Sequence, residues 1–322
     1  MLAAHAERTA LSGPPGAREF RSAPNAHTGF VPNDIRLSEL KVGAIINTSS
    51  GGCDSESERK MSSIIRRARL VEPKVWCGEA KEMDRSFAET AGQGLEVLIV
   101  LGGDGTIRTA AEACAENRPY LIPLPGGTMN MLPRALYGNV SWEEALEKTL
   151  TAPYVKALSG GRVANKRFFI AAIVGAPALW TQPRESIREG NIVDAVKKGS
   201  VAFRRMFETK VQYSIAGGAK GETEAVALIC PLISKEMSDS EQALEAAIID
   251  VKSAAEVIGL ASTAAFGKWR DDTNILLTKT KRVTVQSSKE IPATLDGEKV
   301  NLGRSAEIDF VSTALTVLVP AK

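Results

Sequence analysis

The chain has 322 residues and a formal charge of +2; it is 44% hydrophobic, 24% charged and 5% aromatic. A charge this close to zero gives no electrostatic reason to expect nucleic-acid binding. Both histidines, His5 and His27, lie near the N-terminus. A folded body that starts after them therefore excludes a Ser-His-Asp triad and a His-ligated zinc or iron site. Acid–base work must then come from carboxylates, Lys, Tyr or Cys.

Residues 1–38 are rich in Ala, Pro, Gly, Ser and Arg without a sustained period, which reads as a flexible extension. VGAIINTS (42–49) is an apolar run that ends in turn residues, the pattern of a buried strand. Met61, Ile64, Ile65 and Ala68 follow at helical spacing. KVWC (74–77) reads as a second strand, and Met83, Phe87 and Ala91 mark a second helix. LEVLIVL (95–101) is a strong buried strand. Ile107, Ala110, Ala111 and Cys114 give a third helical face, and YLIPL (120–124) a fourth strand. Ser141 and Glu144 form a capping box ahead of a helix over 142–150. Strands alternating with helices imply βαβ units and a mostly parallel sheet.

From about residue 155 strand-like runs dominate: RFFIAAIV, KVQYSIA, AVALICPLI, AAIIDVK, RVTVQSS, IPATLD, AEIDFV and ALTVLVP. Helical stretches are expected near 184–207 and 253–267. This predicts a strand-rich, antiparallel second domain, with a ligand cleft between the two. The uncharged stretch from Phe168 to Pro183 contains Gly175 and Pro177 and falls short of the roughly 20 residues that a spanning helix needs. A cytoplasmic protein is expected. Cys53, Cys77, Cys114 and Cys230 form no CxxC pair, so neither a zinc site nor a disulfide scaffold is indicated.

The sharpest local signal is LIVLGGDGTIRTAAEAC (98–114), an apolar strand, a glycine turn and an immediate helix. Glycines at 102, 103 and 105 let backbone approach a ligand closely. Thr106 suits a helix N-cap, and free N–H groups at a helix start favour an anion. Asp104 lies at the carboxyl end of a parallel strand, where such sheets bind ligands. A carboxylate beside phosphates points to an intervening cation, most often Mg²⁺ held partly through water. A second turn, PGGTMN (125–130), closes the next strand on the same edge. There Gly127 allows close approach, and Thr128 and Asn130 can hydrogen-bond phosphate or sugar. A third turn, NTSSGG (47–52), brings Asn47, Ser49, Ser50 and Gly51 to that edge as well. No GxxxxGK[ST], post-strand GxGxxG, DFG or HRD motif occurs.

NTSSGG, GGDGT, PGGTMN and LDGE (295–298), in this order, resemble the diacylglycerol kinase catalytic-domain family, which includes bacterial lipid kinases and the sphingosine and ceramide kinases. The resemblance implies an α/β nucleotide-binding domain over 39–152, joined by a returning C-terminal strand within 312–322, and a β-sandwich-like lipid domain over 153–311. It implies transfer of the γ-phosphoryl of ATP to a lipid hydroxyl, with Mg²⁺. It makes Glu298 the lead general base, Asp296 its support, and Asp104 the residue that holds Mg²⁺-ATP. A general base at Glu298 calls for partial burial near other carboxylates. The lipid has to be met at a membrane surface, which leads to the expectation of a peripheral position on the inner face; a homodimer is a further possible partner. Departures from the family pattern are Thr48 in place of Pro, Met131-Leu132 in place of Asp-Phe, and Glu245-Ala246-Ala247 in place of an acidic metal loop. The last of these predicts no metal site in the second domain. The GGDGT turn alone also suits an NAD kinase-like enzyme, and the departures leave room for a catalytically silent nucleotide-binding protein. Between Arg184 and Lys210 a basic stretch containing Lys197, Lys198, Arg204 and Arg205 reads either as a solvated helix or as one lying on anionic lipid.

Overall fold

A computed structural model describes residues 35–70, 74–79, 87, 94–117, 119–175, 210–238, 240–250 and 269–321. The first half of these residues alternates as expected. The elements are β1 (Val42–Asn47), α1 (Ser57–Arg67), β2 (Lys74–Gly78), β3 (Val97–Gly102), α2 (Asp104–Asn117), β4 (Tyr120–Pro125), α3 (Met131–Tyr137) and α4 (Trp142–Thr151). The helix expected around Met83 and Ala91 lies outside the described residues except for Phe87, which is helical and buried. The Ser141 hydroxyl accepts the Glu144 N–H at 3.2 Å and so caps α4.

β5 (Pro153–Val163), β6 (Lys166–Phe168), β7 (Ala171–Gly175), β8 (Val211–Ile215), β9 (Lys220–Thr223), β10 (Ala225–Ile229), β11 (Leu244–Ile249), β12 (Ile275–Thr280), β13 (Arg282–Gln286), β14 (Pro292–Leu295), β15 (Glu298–Asn301) and β16 (Ser305–Pro320) follow. They build two sheets. A ten-stranded sheet runs β2-β1-β3-β4-β16-β13-β8-β9, with β5 on β16 and β6 on β5. A six-stranded sheet runs β12-β11-β10-β7-β14-β15. The β2-β1-β3-β4-β16 portion is parallel, and the six-stranded sheet is antiparallel throughout. The expected helices within 184–207 and 253–267, and the basic cluster on the first of them, lie outside the described residues. Among the described residues, no helix is long and apolar enough to cross a membrane.

Period-two alternation assigns the faces. Ile45, Leu98, Val100, Leu121 and Val317 point into one core with α2, while Ala44, Ile46, Ile99, Leu101, Ile122 and Leu318 point into another with α1 and α4. The parallel strands are therefore covered on both sides, which is why they read as unbroken apolar runs. A third core fills the space between the two sheets, from Ala172, Val174, Val226, Leu228 and Leu295 on one side and Val211, Val283, Val285 and Ile308 on the other.

The two runs AEIDFV and ALTVLVP are a single strand, β16. Its register on β5 shifts between Val311 and Leu315, so one strand crosses a bulge. The first half of β16 pairs with β13 and its end pairs in parallel with β4, at Val317 opposite Leu121. The ten-stranded sheet thus runs through residues on both sides of position 152. RFFIAAIV behaves in the opposite way. It breaks at Phe169-Ile170 into β6 and β7, which belong to different sheets. Where a chain leaves one sheet for another, its ladder partners are lost, and the freed N–H groups need other acceptors.

Candidate active site

β1, β3 and β4 end side by side, so the three glycine-bearing turns meet on one edge. They interlock through backbone. Gly52 N–H donates to Gly126 O at 2.8 Å, and Gly126 N–H donates to Gly102 O at 2.9 Å. A Cβ on Gly126 would fall 2.8 Å from Gly102 N, and one on Gly127 would fall 2.7 Å from Gly103 Cα. These glycines serve close approach between turns rather than left-handed backbone, since none of those at 102, 103, 105, 126 and 127 has a positive φ.

Side chains complete the lock. Asn47 is buried, donates through Nδ2 to Thr106 Oγ1 at 2.7 Å, and accepts Ser49 N–H on Oδ1 at 3.0 Å. The Ser50 hydroxyl accepts Gly103 N–H at 3.0 Å. Thr106 is not the N-cap that its position suggests. α2 already begins at Asp104, with Ile107 N–H bonded to Gly103 O at 3.0 Å, and the Thr106 hydroxyl faces Asn47 instead. Asn130 takes a left-handed conformation (φ 50, ψ 47) and its amide closes on Gly127, accepting the N–H and donating to the C=O, both at 2.7 Å. Its side chain thus holds the turn. Thr128 is exposed on that turn, and Ser49 and Gly51 are exposed on theirs.

Asp104 ties two turns together. Its Oδ2 accepts Asn130 N–H at 2.9 Å and its Oδ1 accepts Met131 N–H at 2.7 Å. The carboxylate therefore caps α3, the helix of the neighbouring turn, rather than its own. Each oxygen keeps a further lone pair, which is compatible with a magnesium ion that is held mainly by phosphates and water. Among the described residues, no group of three or more His, Cys, Asp or Glu side chains could hold a metal by itself. In the six-stranded sheet, buried Glu245 is gripped by Arg270, with Nε at 2.7 Å and Nη2 at 2.9 Å, and also accepts the Ser234 hydroxyl. Burial alone would raise its pKa, but these donors outweigh it and hold the carboxyl below its usual range.

The Asp-Gly-Glu turn joins β14 to β15 at the tip of a hairpin, and this tip comes to the edge that carries the GGDGT turn. Asp296 (φ 50) and Gly297 (φ 89) both take left-handed backbone, as a tight hairpin turn requires. The Asp296 carboxylate accepts Phe169 N–H at 2.9 Å, Ile170 N–H at 2.8 Å and Ala171 N–H at 3.0 Å. These are the N–H groups freed where β6 breaks from β7. Burial pushes the Asp296 carboxyl up to about 6, against the pull of those three amides and of Arg108. Glu298 reaches α2, and a Cβ placed on Gly105 would lie 3.2 Å from its Oε1. The expected partial burial of Glu298 is not found. It is exposed, because it opens β15 at the hairpin tip, on the outermost strand of its sheet.

Arg108 was not marked by the motifs. It lies on α2 three residues after Gly105, and its side chain is 10% exposed. The signal that could have found it is an arginine set among Ile107, Ala110, Ala111 and Cys114, all of which are buried.

Residues 41–159 match the diacylglycerol kinase catalytic domain family model. The diacylglycerol kinase of Bacillus subtilis (strain 168) is 26% identical over 236 residues, covering 68% of this chain and 76% of that protein. The diacylglycerol kinase of Staphylococcus carnosus (strain TM300) is 25% identical over 219 residues, covering 63% of this chain and 70% of its own length. The crystal structure of a diacylglycerol kinase from Bacillus anthracis str. Sterne superposes with a TM-score of 0.62 at 17% identity, over 87% of this chain and 97% of that one, a likeness of fold. The matched segment contains the interlocked turns at 47–52, 102–106 and 125–130, so over residues 41–159 the chain resembles a diacylglycerol kinase catalytic domain.

Proposed function

We propose that the chain transfers the γ-phosphoryl of ATP to the hydroxyl of a lipid, a diacylglycerol-like lipid first and a sphingoid or ceramide lipid second. The observation that carries this reading is the meeting of Glu298 with Gly105 at the start of α2, which sets an exposed carboxylate beside the turn best suited to phosphates. The first N–H groups of α2 have no intrahelical acceptor and favour an anion at the GGDGT turn. Glu298 accepts the proton of the lipid hydroxyl as its oxygen bonds to the γ-phosphorus. The bond from that phosphorus to the bridging oxygen breaks, and ADP leaves. Asp296 is a positioning residue: fixed by three amides, it holds the hairpin that carries Glu298. Asp104 sets the two turns against each other and is the residue that would hold magnesium with the phosphates. Magnesium supplies neutralisation of the charge on the transferring group. The amide of Asn130 and the hydroxyls of Ser50 and Thr106 shape the cradle, while Thr128 and Ser49 are exposed on their turns.

A lipid substrate is supported by Met129 and Met131, 59% and 40% exposed on either side of Asn130, which give the mouth of the site an apolar lip. The protein would work peripherally, at the surface where its lipid lies. The test is phosphate transfer from labelled ATP to diacylglycerol, sphingosine, ceramide and NAD. Glu298→Gln should lower lipid phosphorylation by about 10²–10⁴, the usual worth of a positioned general base. Lipid phosphorylation that survives this substitution would sink the assignment of the base, and transfer to NAD alone would sink the lipid reading.

A further inference from the structure

Arg108 has buried donors left without an acceptor: among the described residues its Nε and Nη2 make no hydrogen bond. Glu112, one turn on, approaches Nη2 at 3.4 Å as an ion pair without hydrogen-bond alignment. A guanidinium is never neutral, and its planar fork matches the oxygens of a phosphate better than a point charge does. Positions 105, 108 and 112 share one face of a helix. Gly105 on that face meets Glu298, and the charge of Arg108 reaches Asp296 in the same hairpin. Asp104 directly precedes Gly105 on α2, Glu298 lies against Gly105, and Asp296 is two residues from Glu298 in the same hairpin. An incoming polyphosphate needs a fixed cation there, and Arg108 is a buried cation one helical turn after Gly105.

We propose that Arg108 is a phosphate-binding residue of this site, taking an oxygen of the phosphoryl group that passes between Gly105 and the Asp296–Glu298 hairpin. The assignment rests on the lipid-kinase reading. The same phosphomonoester-like group can arrive from two sources, the terminal phosphate of the nucleotide or the phosphate of the phosphorylated lipid. Both Gly105 and Glu298 are exposed, so the gap opens to solvent from the hairpin tip.

The experiment uses the full chain, wild type against Arg108→Met and Arg108→Lys. Calorimetry measures ATP and ADP binding, and sedimentation measures binding to vesicles of phosphatidylcholine with and without phosphatidic acid. If the group comes from the nucleotide, Arg108→Met weakens ATP at least tenfold and ADP less than twofold. If it comes from the lipid, nucleotide affinities stay within twofold and the gain in vesicle binding from phosphatidic acid falls at least tenfold. Arg108→Lys, which keeps the charge and loses the fork, falls between. Equal weakening of ATP and ADP, or no change on any probe, overturns the Arg108 assignment and leaves the kinase reading standing. A wild type that binds neither ATP nor phosphatidic acid overturns both. Should Arg108→Met fail to fold, Arg108→Lys carries the comparison alone, and a loss confined to ATP or to phosphatidic acid is still required.

Discussion

Replacing Asp104 with Asn tests whether this carboxylate is a fastener as well as a ligand. In the folded chain its two oxygens accept Asn130 N–H at 2.9 Å and Met131 N–H at 2.7 Å. The amide keeps one acceptor and turns a donor toward the other N–H. A hydrogen bond to a charged group is worth about 1.5–3 kcal/mol, and loss of negative charge at a helix start costs about 0.3–1 kcal/mol more. The expected loss is therefore roughly 2–4 kcal/mol. At about 2–4 °C per kcal/mol for a chain of this class, Tm falls by on the order of 5–10 °C. Urea titration should show a lower midpoint at unchanged slope. A variant that melts with the wild type would refute the reasoning, because the carboxylate would not then be holding α3 to the GGDGT turn. The measurement also decides how kinetics are read. A loss of phosphoryl transfer in Asp104→Asn counts as loss of a ligand only in the part that saturating ATP and magnesium cannot restore to the stability curve.

Gly127→Ala should separate the turns, since its Cβ would lie 2.7 Å from Gly103 Cα. Expected are destabilisation of about 1–3 kcal/mol and at least tenfold weaker ATP binding, whereas Gly218→Ala, whose Cβ would meet only Ile215 at 3.5 Å, should leave both unchanged. Asp296→Asn should destabilise by about 2–4 kcal/mol, because one amide oxygen cannot serve three N–H groups, and should lower kcat with little change in the KM for ATP. The wild-type Asp296 carboxyl is raised from 3.8 to about 6, so the folded state holds its proton more tightly than the unfolded chain. Its contribution to stability is therefore present below the unfolded value and lost as pH rises toward 6, by about 3 kcal/mol. The difference in unfolding free energy between wild type and Asp296→Asn should change over that window and be flat above it; a difference independent of pH would refute the buried-carboxylate account.

What the sequence displays best is what depends on short range. β1, β3 and β4 are covered on both faces, so their apolar runs are continuous and easily seen, and the face of α2 shows in Ile107, Ala110, Ala111 and Cys114. The turns are visible as motifs, because their glycines cluster where the backbones of neighbouring turns approach closely. What was hidden depends on partners far along the chain. β9, β12 and β15 pair on a sheet's margin and bear few buried side chains, so alternation is weak in KGET, ILLTKT and EKVN. β16 reads as two strands because Ser312-Thr313-Ala314 interrupts its apolar pattern at the bulge. Asn47, Thr106 and Asn130 stand in turns whose motifs suggest ligand contact, and each is also engaged with the protein itself; nothing local distinguishes an amide that binds a turn from one that binds a ligand. Arg108 has no motif at all; only its burial and its missing acceptors single it out.

The Asp-Gly-Glu hairpin shows why a reaction of this kind would need two sheets. A parallel edge with glycine turns can cradle an anion, but the carboxylates close to it repel one, and Asp104 is occupied in holding two turns together. A base has to come from elsewhere and be held at a fixed distance. The break between β6 and β7 supplies that hold. The chain changes sheets there, and its freed N–H groups can be satisfied only by an acceptor on a neighbouring element. Asp296 is that acceptor, two residues before Glu298, and the left-handed backbone at Asp296 and Gly297 carries Glu298 back over Gly105. The backbone requirement of the sheet crossing and the placement of the proposed base are thus met by one turn. Hence a substitution at Asp296 should be felt at Glu298 even where Glu298 itself is intact, and kcat should fall for Asp296→Asn in a protein that still binds ATP.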